Sequence, residues 1–387
     1  MKKFIASLGL VVASTAFALV VFEIVLRVVG YSAPIWYQPD ARLGWTLRPH
    51  AQGWFTREGR AYVRVNSAGQ RDAEHSVGKP AGTYRIAVLG DSYAEARQVG
   101  EREAFWALLP ERLAQCSFQR GKKIEVINFG VSGYGTAQEY LMLESTAMRY
   151  RPDLVLLQFT NGNDVMNNSL ALEEEKQRPF YALDPRWGLR LDDSFAASEP
   201  FAKRSSAKHQ LARRATDHSR VMQLAHALPE MALMPRAQAN APDGAEAGLK
   251  VAVLAPPRER AWEEAWLVTE RLIAKTHEFA ERHGARLVLV MVPYAIQAHP
   301  DRKQRAEFAA KLGVADLFYP ERRITEWAGA RGIAALPLAF EMQRLAEASG
   351  AYFYGFENTR LGTGHWNVEG HRIAAELIAR KLCGEPQ

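Results

Sequence analysis

Four short blocks in this sequence carry the groups that moving an acyl group on and off a hydroxyl requires. Gly90-Asp91-Ser92 offers a hydroxyl at the exit of an apolar run, beside what reads as a helix start. The positive end of such a helix favours a developing alkoxide or oxyanion. Asn128-Phe129-Gly130-Val131-Ser132-Gly133-Tyr134-Gly135-Thr136 follows a second apolar run, and its glycines let backbone N–H groups approach a ligand closely. Asn161-Gly162-Asn163-Asp164 follows a third run, and the Asn163 amide can donate to a tetrahedral oxyanion. His365-Trp366-Asn367 places an imidazole, a proton acceptor near neutral pH, before a final helical stretch. Alone, each block is ordinary: a turn and cap, a loop needing positive φ, an Asx turn, a polar cap. Together, in the order Ser, Gly, Asn, His, they supply a nucleophile, a backbone donor, an amide donor and a base.

These blocks lie far apart in the chain, so a scaffold must gather them. Arg85–Leu89, Ile124–Phe129, Leu154–Phe159 and Leu287–Val292 read as short buried strands, with a shorter one over Ile333–Leu338. Helical stretches are expected over Ala104–Gln115, Ala137–Tyr150 and Val368–Leu382, the last capped by Asn367. Trp262, Trp266, Thr269, Ile273 and Ala280 share one face of another helix, which Gly284 stops. Strands alternating with helices imply a mostly parallel sheet covered on both faces. Ligands then sit at the carboxyl ends of the strands, where all four blocks fall.

The N-terminus bears on the compartment. Lys2 and Lys3 precede an apolar run from Phe4 to about Val29, interrupted by Glu23 and Arg27. Phe4 to Glu23 is about one bilayer crossing, and the lysines favour a cytoplasmic start with an exported remainder. We read residues 1–30 as an uncleaved signal anchor; the rival is a cleaved signal with Ala16-Phe17-Ala18 as its site. Residues 31–80 read as a small β-rich lead-in, and 81–387 as the main domain. An insertion over about 168–250 is basic from Lys203 to Arg220 and linker-like from Arg236 to Gly248. It reads as a solvated excursion or as a lid over the site. The net charge of +6 lacks a basic stripe interleaved with aromatics, which argues against nucleic acid. With two cysteines and no CxxC, a structural zinc site is not expected.

The ordered blocks resemble those of the GDSL/SGNH hydrolases, over about Tyr84–Leu382 without the insertion. The resemblance implies a flavodoxin-like three-layer α/β/α fold with a mostly parallel sheet. It implies Ser92 as nucleophile, His365 as base, and the Ser92 and Gly133 N–H groups with the Asn163 amide as oxyanion hole. It implies neither metal nor organic cofactor. Asn66-Ser67-Ala68-Gly69-Gln70-Arg71-Asp72 is similar to the anchored bacterial, envelope-facing branch. That implies a single-pass inner-membrane protein with its catalytic domain on the periplasmic side, acting on O-acyl (for example acetyl) esters of a glycan. An O-acyltransferase using the same Ser–His pair is the alternative. A non-catalytic binding protein on a degenerate fold is another.

One departure motivates that last alternative. The family places an aspartate two or three residues before the histidine, where this chain has Thr363 and Gly362. Thr363, a main-chain carbonyl, or Glu357 from the preceding loop are the candidates to orient His365. In a flavodoxin-like strand order, Cys116 after the first helix of the main domain and Cys383 after the last lie on one face. An exported location would permit a disulfide between them.

Overall fold

A computed structural model describes residues 2–116, 118–186, 188–239 and 250–384. The chain opens with α1 (Lys2–Val28), whose Lys3–Val28 segment is long and apolar enough to cross a membrane. Phe4, Leu10, Phe17 and Val28 are among its many exposed apolar side chains.

Two antiparallel hairpins follow, β1 (Tyr37–Asp40) with β2 (Gly44–Leu47), and β3 (Gln52–Phe55) with β4 (Ala61–Arg64). Residues alternate in β4: Ala61 and Val63 are buried, Tyr62 and Arg64 exposed. This is the period-2 pattern of a strand with one face covered.

The five remaining core strands are β5 (Thr83–Leu89), β6 (Lys123–Asn128), β7 (Leu154–Thr160), β10 (Arg286–Val292) and β11 (Ala334–Pro337). They form one parallel sheet in the order β11-β10-β7-β5-β6, the flavodoxin-like order expected. Every residue of β5 and β7 is buried, as a sheet covered on both faces requires. Ala87 and Leu89 face a core built with α4 (Thr136–Ser145), α9 (Arg260–Arg282) and α11 (Tyr319–Gly329). Ile86 and Val88 point the other way, to α3 (Phe105–Ala114), α12 (Ala339–Ser349) and α13 (Val368–Gly384). Short helices α2 (Ser92–Glu95), α5 (Asp164–Asn167) and α10 (Arg302–Leu312) complete the layers. The helix expected to reach Tyr150 ends at Ser145 and resumes as a 3-10 turn over Ala147–Tyr150. Ser145 Oγ donates to the Leu141 carbonyl, the local side-chain bonding that weakens a helix end.

The insertion carries a hairpin, β8 (Phe180–Asp184) and β9 (Gly188–Asp192), then α6 (Glu199–Ser205), α7 (Ala207–His218) and α8 (Arg220–Ala239). Its basic stretch is therefore not a loose excursion. Ser198 caps α6 and Ser206 caps α7, and Arg48 after β2 is paired with Asp217 of α7. Glu23 of α1 accepts from Ser219 Oγ (3.0 Å) and the Arg220 and Val221 N–H groups (2.9 and 3.0 Å) at the start of α8. The linker-like stretch lies, from residue 240 on, outside the described residues.

Cys116 and Cys383, 267 positions apart in sequence, are joined by a disulfide with Cα atoms 6.1 Å apart. It staples the end of α3 to the end of α13, which pack together on one face of the sheet. Closing so long a loop constrains the unfolded chain, and removal is expected to cost about 2–4 kcal/mol. Replacing both cysteines by serine should lower the urea midpoint under non-reducing conditions, and the difference between parent and variant should largely disappear once reductant is added to both. An unchanged midpoint would show that the link adds no stability.

Candidate active site

Ser92 begins α2, directly beyond the carboxyl end of β5. Asp91 is the N-cap: its carboxylate accepts from the Tyr93 N–H at 3.0 Å, which fixes the sharp strand-to-helix turn. The Ser92 side chain meets His365 across the cleft, with Oγ to Nε2 at 2.8 Å. The two residues, 273 apart in sequence, thus converge as expected. Asn367 caps α13 by accepting from the Gly370 N–H at 3.0 Å, and so sets the strand of chain that carries His365. Trp366 is buried among Tyr93, Phe105 and Tyr354 and packs the loop from beneath.

Neither expected partner orients the imidazole. Thr363 Oγ1 donates to the Arg360 carbonyl instead, and Glu357 is exposed on its loop. The carboxylate is Glu58, from the turn between β3 and β4. Its Oε2 lies 2.5 Å from His365 Nδ1 and its Oε1 accepts from the His365 N–H at 2.6 Å. A carboxylate at Nδ1 fixes the tautomer: Nδ1–H donates to Glu58, and Nε2 keeps its lone pair for the Ser92 hydroxyl. Burial pushes the Glu58 carboxyl up, but His365, through charge and two hydrogen bonds, and Gln98 outweigh it and hold it below the usual range.

Two glycines make this approach possible. Gly364 has φ +77°, and a Cβ there would sit 2.1 Å from Glu58 Oε1. Gly59, at φ +68°, would meet the Gln98 carbonyl at 2.3 Å. Asn358 clamps the same turn: its Oδ1 accepts from the Gly59 N–H at 2.9 Å and its Nδ2 donates to the Thr56 carbonyl at 3.0 Å. Glu58 was missed because it lies 307 positions from His365 in sequence. The available signal was indirect: an Asp-less histidine loop with glycines at 362 and 364, and an acid-glycine pair in a hairpin turn.

Gly133 and Asn163 line one pocket of about 540 Å³. Asn163 Nδ2 gives one hydrogen to Asp91 Oδ2 at 2.9 Å. That bond sets the orientation of the amide and leaves its second N–H to donate. The loop bearing Gly133 is held on both sides: the Ser132 N–H donates to Glu95 at 2.5 Å, and Trp45 Nε1 of β2 donates to the Ser132 carbonyl at 3.1 Å. Behind it, burial first and neighbouring carboxylates second push Glu139 and Asp164 well above the usual carboxyl range. Tyr37 and Trp45 of the first hairpin and Glu175, Arg178 and Arg204 of the insertion wall the pocket. His371 is buried against Phe105, and burial lowers it to about 3, so it stays neutral and apart from the Ser92 cleft. Among the described residues no cluster suited to a metal occurs.

No family model and no curated protein matches the sequence. Solved structures are similar to it at low identity. A catalytic mutant of an acetylxylan esterase from Geobacillus stearothermophilus aligns with TM-score 0.40 and 11% identity, over 80% of this chain and 98% of that one. A GDSL-like lipase from Bacteroides thetaiotaomicron aligns with TM-score 0.35 and 13% identity, over 80% and 91%. TesA aligns with TM-score 0.36 and 14% identity, over 77% and 97%. Likeness at this level assigns no activity.

Proposed function

We propose that this chain is a serine ester hydrolase of the GDSL/SGNH type that cleaves O-acyl esters, with acetyl groups on an envelope glycan as the substrate. The observation that carries the reading is the continuous chain Ser92 Oγ, His365 Nε2, His365 Nδ1, Glu58 Oε2, with links of 2.8 and 2.5 Å. Ser92 attacks the ester carbonyl as His365 takes its proton, and Glu58 stabilises the imidazolium that forms. The N–H groups of Ser92 and Gly133 and the Asn163 amide hold the oxyanion. His365 then returns the proton to the leaving alcohol, and water, deprotonated by the same histidine, releases the acid. With a carboxylate on Nδ1, the motive for a non-catalytic reading is gone.

The wide pocket, with aromatic faces and polar side chains at its wall, suits a glycan alcohol better than a long acyl chain. The two N-terminal lysines and the disulfide both support export, with α1 as the anchor and the site outside the cytoplasm.

The full chain in neutral detergent should hydrolyse p-nitrophenyl acetate, and an alkyl fluorophosphonate should add once, on Ser92. Acetylated oligosaccharide should be deacetylated, while p-nitrophenyl palmitate should turn over at least about tenfold more slowly, as a pocket better suited to a glycan than to a long acyl chain implies. Protein that neither turns over acetate esters nor takes up the phosphonate would end the proposal.

A further inference from the structure

The basic helix of the insertion has no part in ester cleavage, yet it builds a second cavity. A space of about 240 Å³ lies between the first hairpin and α6–α7, lined by Gln38, Arg48, Ser205, Gln210, Arg213 and Arg214, with Pro39. Three guanidinium groups face it, and no carboxylate lines it. Arg48 is held by Asp217 (Nη1 to Oδ1 2.9 Å) and by the Ile35 carbonyl at 2.9 Å. Arg213 Nη1 donates to the Arg204 carbonyl at 3.0 Å. Burial first, and then the charge of Arg48, lower the pKa of Arg213. Cations forced together in this way are relieved by an anion. Asp217 offsets one of the three charges, so a surplus remains. Ser205 Oγ is buried and has no hydrogen-bond partner among the described residues.

We propose that this cavity is a phosphate-binding site, in which Arg213 and Arg214 pair with the anion and Ser205 donates its orphaned hydroxyl. Guanidinium forks match phosphate oxygens in pairs, and the cavity is of headgroup rather than oligosaccharide size.

The place in the fold suggests where the phosphate comes from. Arg27, in the last turn of α1, donates through Nη2 to the His218 carbonyl at 2.7 Å. Arg214 precedes His218 by about one helical turn, so the cavity lies about one turn of α7 from the carbonyl that holds the end of the apolar helix. A lipid phosphodiester and a free phosphate share the required chemistry. Only the choice between them rests on α1 lying in a membrane; the site itself is independent of the ester-cleavage reading.

The test uses the full chain in dodecyl maltoside, titrated calorimetrically with inorganic phosphate, with dihexanoyl phosphatidylglycerol and with dihexanoyl phosphatidylcholine. Saturable binding of phosphate or phosphatidylglycerol is expected. The Arg213→Gln/Arg214→Gln double variant should weaken it by about tenfold or more, since each charge-assisted pair is worth roughly that factor. p-Nitrophenyl acetate turnover should not change, which also reports on folding. Phosphatidylglycerol binding at least tenfold tighter than both other probes assigns the site to a lipid headgroup; equal affinity for inorganic phosphate assigns it to the free anion. Should the double variant fail to fold, Ser205→Ala reads the same site and should weaken binding several-fold. Binding by neither anion, or equal binding by parent and variants, overturns the proposal.

Discussion

Glu58→Gln is expected to lower kcat for p-nitrophenyl acetate by about 10⁴-fold, the cost seen when a triad acid becomes an amide. KM should change little, and the melting temperature at neutral pH should fall only by what the carboxylate–imidazole pair contributes. The side chain keeps its volume, and its Oε1 can still accept from the His365 N–H. What changes is the group facing Nδ1. An amide NH₂ there favours the tautomer with the proton on Nε2, which then has no lone pair for the Ser92 hydroxyl. The loss of charge also removes the stabilisation of the imidazolium, so the acid limb of the kcat/KM profile should move to lower pH. A merely structural role for Glu58 would leave that limb in place.

The same carboxylate links stability to pH. Its folded-state pKa is depressed, with burial opposed and outweighed by His365. Its contribution is therefore complete above the ordinary carboxyl range and lost as pH falls through the lowered value. Glu58→Gln should flatten this part of the acid side of a stability profile. Unchanged turnover in the variant would remove Glu58 from the mechanism.

Ser92→Ala is expected to lower kcat by about 10⁶-fold, and adding Glu58→Gln to it should cost nothing further. The reason is that Glu58 acts only through His365, and His365 only through the Ser92 proton. Once the nucleophile is absent, the oxyanion donors alone remain, and their residual contribution of about 10³ over water should persist in both variants. The measurement is single-turnover hydrolysis by the two variants side by side, with fluorophosphonate labelling abolished in each. Turnover by Ser92→Ala within tenfold of the parent, or a further large loss in the double variant, would show that the two residues do not act in series.

Much of this site was open to reading from residue order. Ser92, Gly133 and Asn163 each follow a run of apolar residues that becomes a buried parallel strand, and such strands present their carboxyl ends to one crevice. His365 could be placed because Asn367 and the apolar periodicity after Val368 mark a helix start. The identity of the acid could not be read in this way. Glu58 sits in a five-residue hairpin turn, Thr56 to Arg60, with no local pattern that distinguishes it from a solvated charge. The fold of the insertion was similarly hidden, because α6 and α7 are mostly polar and the docking of α7 and α8 rests on distant Arg48 and Glu23.

By itself, then, the sequence determined the sheet and placed Ser92, Gly133, Asn163 and His365 at strand ends and a helix start along one edge of it, because periodicity and strand-end position are local properties of the chain. Tertiary structure alone decided which carboxylate faces His365, which segments wall the pocket, and that Cys116 meets Cys383. Those are meetings across hundreds of residues. They depend on how the hairpins and insertion dock on the finished sheet, and docking leaves no period in the amino-acid order.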